Sequence, residues 1–250
     1  MNLGISTWGI EGKLADAAKI AAKYFNVVEV FIRNYNELKT VNIRELKNLG
    51  VIFTVHAPEQ ASLTLPDLQE LKKSIEIVKS SIDLAYSLDS DIVVVHSGRK
   101  YDEESIGRLV YALRACSSYA EALGVYLCLE NGWGRGLIHT LSQIREVVSR
   151  VGSDYLKATL DTGHYFIVGM DPVEEYKKNY DIVFQIHLHS NYGNKDEHLP
   201  PYIGLLDLRG FVEALKERMY NRCIVLEVKC GKKPEDFISD MEKELKRYFV

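Results

Sequence analysis

Six of the seven histidines in this 250-residue chain stand at, or just beyond, the C-terminal end of a short apolar run. His56 closes "IFTVHAP", His96 closes "DIVVVHSG", and His187 and His189 close "QIHLHSN". His164 follows "ATLDT", and His198 lies in the "DEH" segment that comes next in the chain. Acids keep them company: Glu130 ends "YLCLENG", Asp161 ends "ATLDTGH", Asp196 opens "DEH" and Glu227 ends "CIVLEVK". Only His139 stands apart, just ahead of a helical segment, where a structural role is expected. A carboxylate inside an apolar run is costly unless something pairs with it. Several carboxylates and imidazoles held together call for a cation, and this ligand mixture suits zinc or manganese. The expected chemistry is therefore that of a divalent metal centre. Asp196 and His198, two residues apart, can chelate one ion from one loop. His187 and His189 share a strand face, so one can ligate while the other faces substrate or a second ion, and spacing leaves the choice open.

Positioning such distant residues requires elements whose ends converge. Eight apolar, β-branched runs are expected to be strands: residues 3–8, 27–32, 51–57, 91–97, 125–131, 156–162, 182–189 and 223–228. Helical spacing fills the gaps at 14–25, 66–89, 103–124, 140–151, 171–179, 208–219 and 234–248. Pro66, Pro172 and Pro234 stand at helix starts, and Gly124 stands at a helix end. Strands that alternate with helices imply a parallel sheet, and near-continuous apolar strands imply burial on both faces. Eight such units in this length predict an α/β fold, a single (β/α)8 TIM barrel over residues 1–250. The competing open sheet lacks its nucleotide signature, since the first strand runs into "STWGIEGK". In a barrel the C-terminal strand ends form one face, where active sites sit. Six of the eight expected strands end in ligand-type residues.

Composition narrows the function classes. Hydrophobic residues make up 46% and charged residues 26%, enough apolar mass for one large core. A net charge of −4 argues against binding nucleic acid by electrostatics. No apolar run approaches the ~20 residues of a membrane span. The opening "MNLGISTWGIEG" has no basic-then-apolar leader pattern, and Cys116, Cys128, Cys223 and Cys230 form no CxxC pair. A cytoplasmic protein with buried free thiols is expected.

The motifs "VHAP", "VVVHSG", "LENG", "LDTGH", "IHLHSN", "DEHLPPYIG" and "LEV" span essentially the whole chain. With them the sequence resembles the xylose isomerase-like TIM-barrel superfamily, which joins endonuclease IV with metal-dependent sugar isomerases and epimerases. Resemblance to endonuclease IV implies a three-zinc ligand set of His56, His96, Glu130, Asp161, His164, His187, Asp196, His198 and Glu227, all filled by the right residue type. Resemblance to the sugar epimerases implies one ion held by Glu130, Asp161, His189 and Glu227. Two departures bear on function. Endonuclease IV follows "VHAP" with an aromatic and an aliphatic residue that wedge into the DNA stack, whereas Glu59 and Gln60 stand here. The first strand carries "ISTWG" in place of a histidine-containing start, and Trp8 can offer an apolar platform to a sugar face.

The expected function is thus a divalent-metal-dependent isomerase or epimerase of a small sugar or sugar phosphate. One ion is expected and up to three are possible. The metal polarises a carbonyl, one of Glu130 and Glu227 removes the adjoining proton and the other returns one. His164 or the spare histidine of "IHLH" steadies the enediolate oxygen. Arg99, Arg135, Lys195 and Lys229 follow strand ends and are candidate contacts for hydroxyls or phosphate. The alternative is a zinc phosphodiesterase acting at abasic sites in DNA. It is disfavoured by the missing wedge and the acidic balance, and a degenerate barrel without catalysis is disfavoured by the intact carboxylate set. Oligomeric state is left open.

Overall fold

The computed structural model describes residues 1–249. Among them, eight strands pair in parallel and in sequence order to close a barrel: β1 (Asn2–Ser6), β2 (Val27–Phe31), β3 (Ile52–His56), β4 (Ile92–His96), β5 (Tyr126–Glu130), β6 (Leu156–Asp161), β7 (Val183–Leu188) and β8 (Cys223–Leu226). Around them run α1 (Leu14–Ala22), α2 (Tyr35–Thr40), α3 (Ile43–Lys47), α4 (Leu68–Ser87), α5 (Ser105–Leu123), α6 (Leu141–Val151), α7 (Thr162–Ile167), α8 (Pro172–Asn179), α9 (Leu208–Glu217) and α10 (Pro234–Phe249). The expected (β/α)8 barrel is the fold observed.

Alternation along each strand divides the core in two. Outward residues such as Val28, Val30, Val55, Val93, Leu127, Leu129 and Leu160 are buried beneath the helices, with Leu109, Leu113, Ile144 and Phe211 in the same core. Two small apolar clusters lie apart from it, Val27–Cys223–Val225 and Ile92–Val94–Cys128. All four cysteines are buried and unpaired. Burial pushes the Cys116 thiol up to about 12, so it stays protonated and inert. No helix of the described residues is long and apolar enough to cross a membrane.

Local chemistry moved several expected boundaries. The first strand stops at Ser6, whose hydroxyl accepts from Trp8 N and opens a 3-10 turn at Thr7–Gly9, so Trp8 is on a turn. The helix expected from Pro66 starts at Leu68, because Asp67 caps it by accepting from Gln69 N and Glu70 N. Gly124 does end α5, in the left-handed conformation at φ 70. Three short helices were not anticipated: α2, α3 and α7. The first two are capped by Asn34 and Asn42, and the third by Asp161. At five and six residues they are too short for a hydrophobic period to declare itself.

Candidate metal centre

Asp161 shows how the chain builds the site. It ends β6 and at once caps α7: its Oδ1 accepts from His164 N at 2.8 Å, which fixes the turn that brings His164 back over the barrel. Asn131, fully buried after β5, locks the same corner. Its Oδ1 accepts from Asp161 N at 2.8 Å, its Nδ2 donates to Asp161 O at 3.1 Å, and its own carbonyl lies 2.8 Å from His164 Nδ1.

The C-terminal rim then gathers ten candidate ligands into adjoining groups. His56 Nε2 lies 3.3 Å and His96 Nε2 2.9 Å from Glu130 Oε2. Ligand atoms of Glu130, Asp161, His187 and Glu227 all lie within 4.8 Å of one another at the centre. Asp161, His164 and His189 form a further group, and His189, Asp196 and His198 another. His187 and His189 are thereby told apart. Nδ1 of His187 faces Glu130 Oε1 at 3.2 Å and Glu227 Oε2 at 3.9 Å, whereas His189 Nε2 turns to Asp161 Oδ2 at 2.9 Å.

The donors suit a metal. His189 Nδ1 and Asp196 Oδ1 are buried without a hydrogen-bond partner and face each other at 3.9 Å. That is too far for a hydrogen bond. Two zinc ligands at ~2.0–2.2 Å from one ion stand about 3–4 Å apart, which matches.

Without a metal, protons hold the charges together. Burial alone would raise Glu130, but the charges of His187 and His96 and their hydrogen bonds outweigh it and hold the carboxyl well below its usual range. Burial would depress His56, yet the Glu130 hydrogen bond and the charges of Glu29 and Glu130 carry it up to about 9. His164, opposed by the same burial, is lifted to about 10, first by Asp161 and then by Asp196. Glu227 differs: burial and the neighbouring Glu130 and Asp161 raise it despite His187 and His198. A cation entering this cluster displaces the imidazolium protons. Zinc or manganese uptake near pH 7 is therefore expected to release more than one proton per ion, and apparent affinity to climb with pH until about 9–10. Calorimetry in buffers of different ionisation enthalpy measures this, and proton-neutral uptake would contradict it. The metal-free protein should show the opposite trend. Histidines with raised pKa values contribute stability that is complete below ~6.5 and lost as pH rises through 9–10.

Above the cluster opens a cavity of about 590 Å³. Its floor includes His56, His96, Glu130, His164, Asp196, His198 and Glu227. Asp161, His187 and His189 are fully buried and do not line it. Trp8 lines the wall, packed against His198 with ring centres 4.1 Å apart and the planes tilted by 30°, so part of the indole is already covered. Arg99 and Arg135 line the mouth with Trp133 and Glu59. Their loops are zipped by the Arg99–Gly136 bridge and by Lys100 N donating to Arg135 O at 3.3 Å. Two expected contacts do not line the cavity. Lys195 is exposed in the β7–α9 loop. Lys229 lies over the Trp8 ring at 5.7 Å and donates to Asp196 O at 3.5 Å.

Sequence reading passed over Glu29, Gln185 and Asn131. Glu29 had a signal, as the one charge inside "VVEVF", but it lies mid-strand and not at an end.

A model of the xylose isomerase-like TIM barrel family matches residues 14–247. The chain belongs to this family. Among its relatives, an uncharacterized protein of Methanocaldococcus jannaschii is 30% identical over 248 residues, covering 92% of this chain and 84% of the relative. A protein of Carboxydothermus hydrogenoformans named "Probable endonuclease 4" is 26% identical over 188 residues, covering 69% of this chain and 66% of its own. Among solved structures, a D-tagatose 3-epimerase-like protein superimposes with a TM-score of 0.89 at 28% identity, covering 99% of this chain and 97% of that one. The closed eight-stranded parallel barrel observed here agrees with that TIM-barrel family.

Proposed function

We propose that this protein is a divalent-metal-dependent epimerase or isomerase of a small sugar or sugar phosphate. The observation that carries the reading is the central cluster of Glu130, Asp161, His187 and Glu227, two of whose carboxylates also open onto a cavity of sugar size. Likeness to the D-tagatose 3-epimerase-like protein supports it. An ion held by these four residues would polarise a substrate carbonyl and acidify the adjoining C–H. The protein's own groups do the rest. Glu130 and Glu227 come from strands three apart and reach the centre from different sides. One of the two removes the proton and the other returns one, each from a carboxylate that opens onto the cavity. His164, with Nδ1 tied to the Asn131 carbonyl, directs Nε2 toward the cavity side, 3.3 Å from Asp196 Oδ2, where it can donate to the developing oxygen. Arg99 and Arg135 at the mouth hold distal hydroxyls or a phosphate. Of the two strand-seven histidines, His187 is the central ligand, and His189 serves Asp161 and a neighbouring ion.

A second reading is a zinc phosphodiesterase. It is favoured by one observation: all nine residues of the three-zinc pattern meet on this rim, including Asp196 with its unpartnered Oδ1. Exposed Glu59 and Gln60, where a DNA wedge would stand, oppose it. Elemental analysis of purified protein, run beside a ketose epimerisation assay and a nicking assay on abasic-site duplex, separates the two. Epimerisation lost on chelation and restored by manganese or zinc, without nicking, is the expected result. Metal-dependent nicking with three tightly held zincs and no turnover of sugars would overturn the proposal.

A further inference from the structure

Three histidines of the centre present Nε2 inward for one reason: Nδ1 lies 2.8 Å from a backbone carbonyl. The carbonyls are those of Ala57 for His56, Asn131 for His164 and Glu227 for His198. A carbonyl only accepts, so Nδ1 carries a proton and Nε2 is the atom left to ligate a metal or, when protonated, to donate. His187 is built the other way round. Its ring makes no hydrogen bond to a backbone carbonyl among the described residues; instead Nε2 lies 2.9 Å from Glu29 Oε2. Its Nδ1 is the atom that faces Glu130 and Glu227.

Glu29 lies on β2, a strand that supplies none of the candidate ligands. Its side chain is fully buried, and His187 is its only ion-pair partner among the described residues. The Gln185 amide donates to the same Oε2 at 2.5 Å, and its nitrogen stands 3.1 Å from His187 Nε2. Two protonation patterns compete here. If Gln185 donated to Nε2, the His187 proton would sit on Nδ1 and block the atom that faces the carboxylates. The Glu29 charge opposes that pattern, because it would put a nitrogen lone pair against a carboxylate oxygen in a fully buried site.

We propose that Glu29 is a positioning residue that keeps the proton of His187 on Nε2 and so makes Nδ1 its metal-binding atom, with Gln185 as the lock on the carboxylate. A carboxylate that anchors a ligating imidazole is worth roughly 10–100-fold in metal affinity. The inference rests on the metal centre proposed above but not on the sugar, so its test needs no substrate.

Zinc-loaded protein labelled with nitrogen-15 histidine should show, in long-range proton–nitrogen correlations, a protonated Nε2 and a bare Nδ1 for His187. His56, His164 and His198 should each show a protonated Nδ1. Glu29→Gln should weaken the tightest zinc by about 10–100-fold and move the His187 ring signals, leaving those of His164 in place. Glu29→Asp, which keeps the charge, should recover part of the affinity. An unprotonated Nε2 on wild-type His187, or unchanged zinc affinity in Glu29→Gln, overturns the proposal. Should Glu29→Gln fail to fold, the wild-type spectrum decides by itself. Should wild-type protein take up no zinc, the metal reading fails, and the His187 ring signals still decide the Glu29 tether: they should move in metal-free Glu29→Gln, and unmoved signals overturn it.

Discussion

Replacing Glu130 with glutamine is expected to lower turnover by about 10²–10⁴-fold and to empty the central ion site while the barrel stays folded. Glu130 is the carboxylate on which the rim depends most: His56, His96 and His187 all lie within 3.3 Å of it. Glutamine keeps the shape but offers one oxygen and no charge. The ion then loses a ligand, and the metal-free cluster loses the anion whose hydrogen bond and charge carry His56 up to about 9. His56 and His187 can shed their protons, so the stability cost should stay at ~1–3 kcal/mol, far below the loss of function. Glu227→Gln should match it in turnover but disturb the histidines less, since Glu227 lies 3.7 Å from His198 and 3.9 Å from His187. Turnover, metal content and melting temperature measured together check this. Undiminished turnover in both variants would refute the site.

Gly163→Ala should be nearly as damaging, without touching a ligand. A Cβ at Gly163 would stand 2.0 Å from His189 Cε1 and 2.3 Å from its Nδ1. The ring has nowhere to go: it is fully buried, stacked on His198 at 4.1 Å, and held through Nε2 by Asp161. A single methyl group therefore either evicts His189 or lifts the start of α7, and with it the Asp161 cap and His164. Overpacking of this kind costs about 1–3 kcal/mol or more, which for a chain of this size is a fall of roughly 2–12 °C in melting temperature. The same variant should bind less metal, because Asp161 joins the central cluster to the His189 group. A melting curve and metal content like those of the wild type would show that the ring has freedom the packing denies.

Much of this was legible in the order of residues. Eight apolar runs separated by helical spacing dictate a parallel barrel, because strands buried on both faces have few other ways to close. Polar ligand types at the C-terminal end of six of those runs then place the site on one rim, since closure alone makes strand ends neighbours. The short helices resisted reading. Residues 162–167 continue the pattern of the strand before them, and only the Asp161 side chain, accepting from His164 N, turns the chain into α7.

What sequence could not decide was direction. His187 and His189 are identical in type, two residues apart and both fully buried. The partners that separate them, Glu29 on one side and Asp161 with Asp196 on the other, lie 158, 28 and 7 positions away, and only barrel closure brings them together. Lys195 and Lys229 resembled Arg99 and Arg135 as cations after strand ends, yet only the two arginines line the cavity. The sequence by itself determined the fold, the chemistry of the donors and the rim where they meet, because these follow from hydrophobic periodicity and residue type. Which histidine nitrogen faces the carboxylates and which cation lines the cavity were decided by the tertiary structure alone. Each depends on distances between side chains that have no counterpart along the chain.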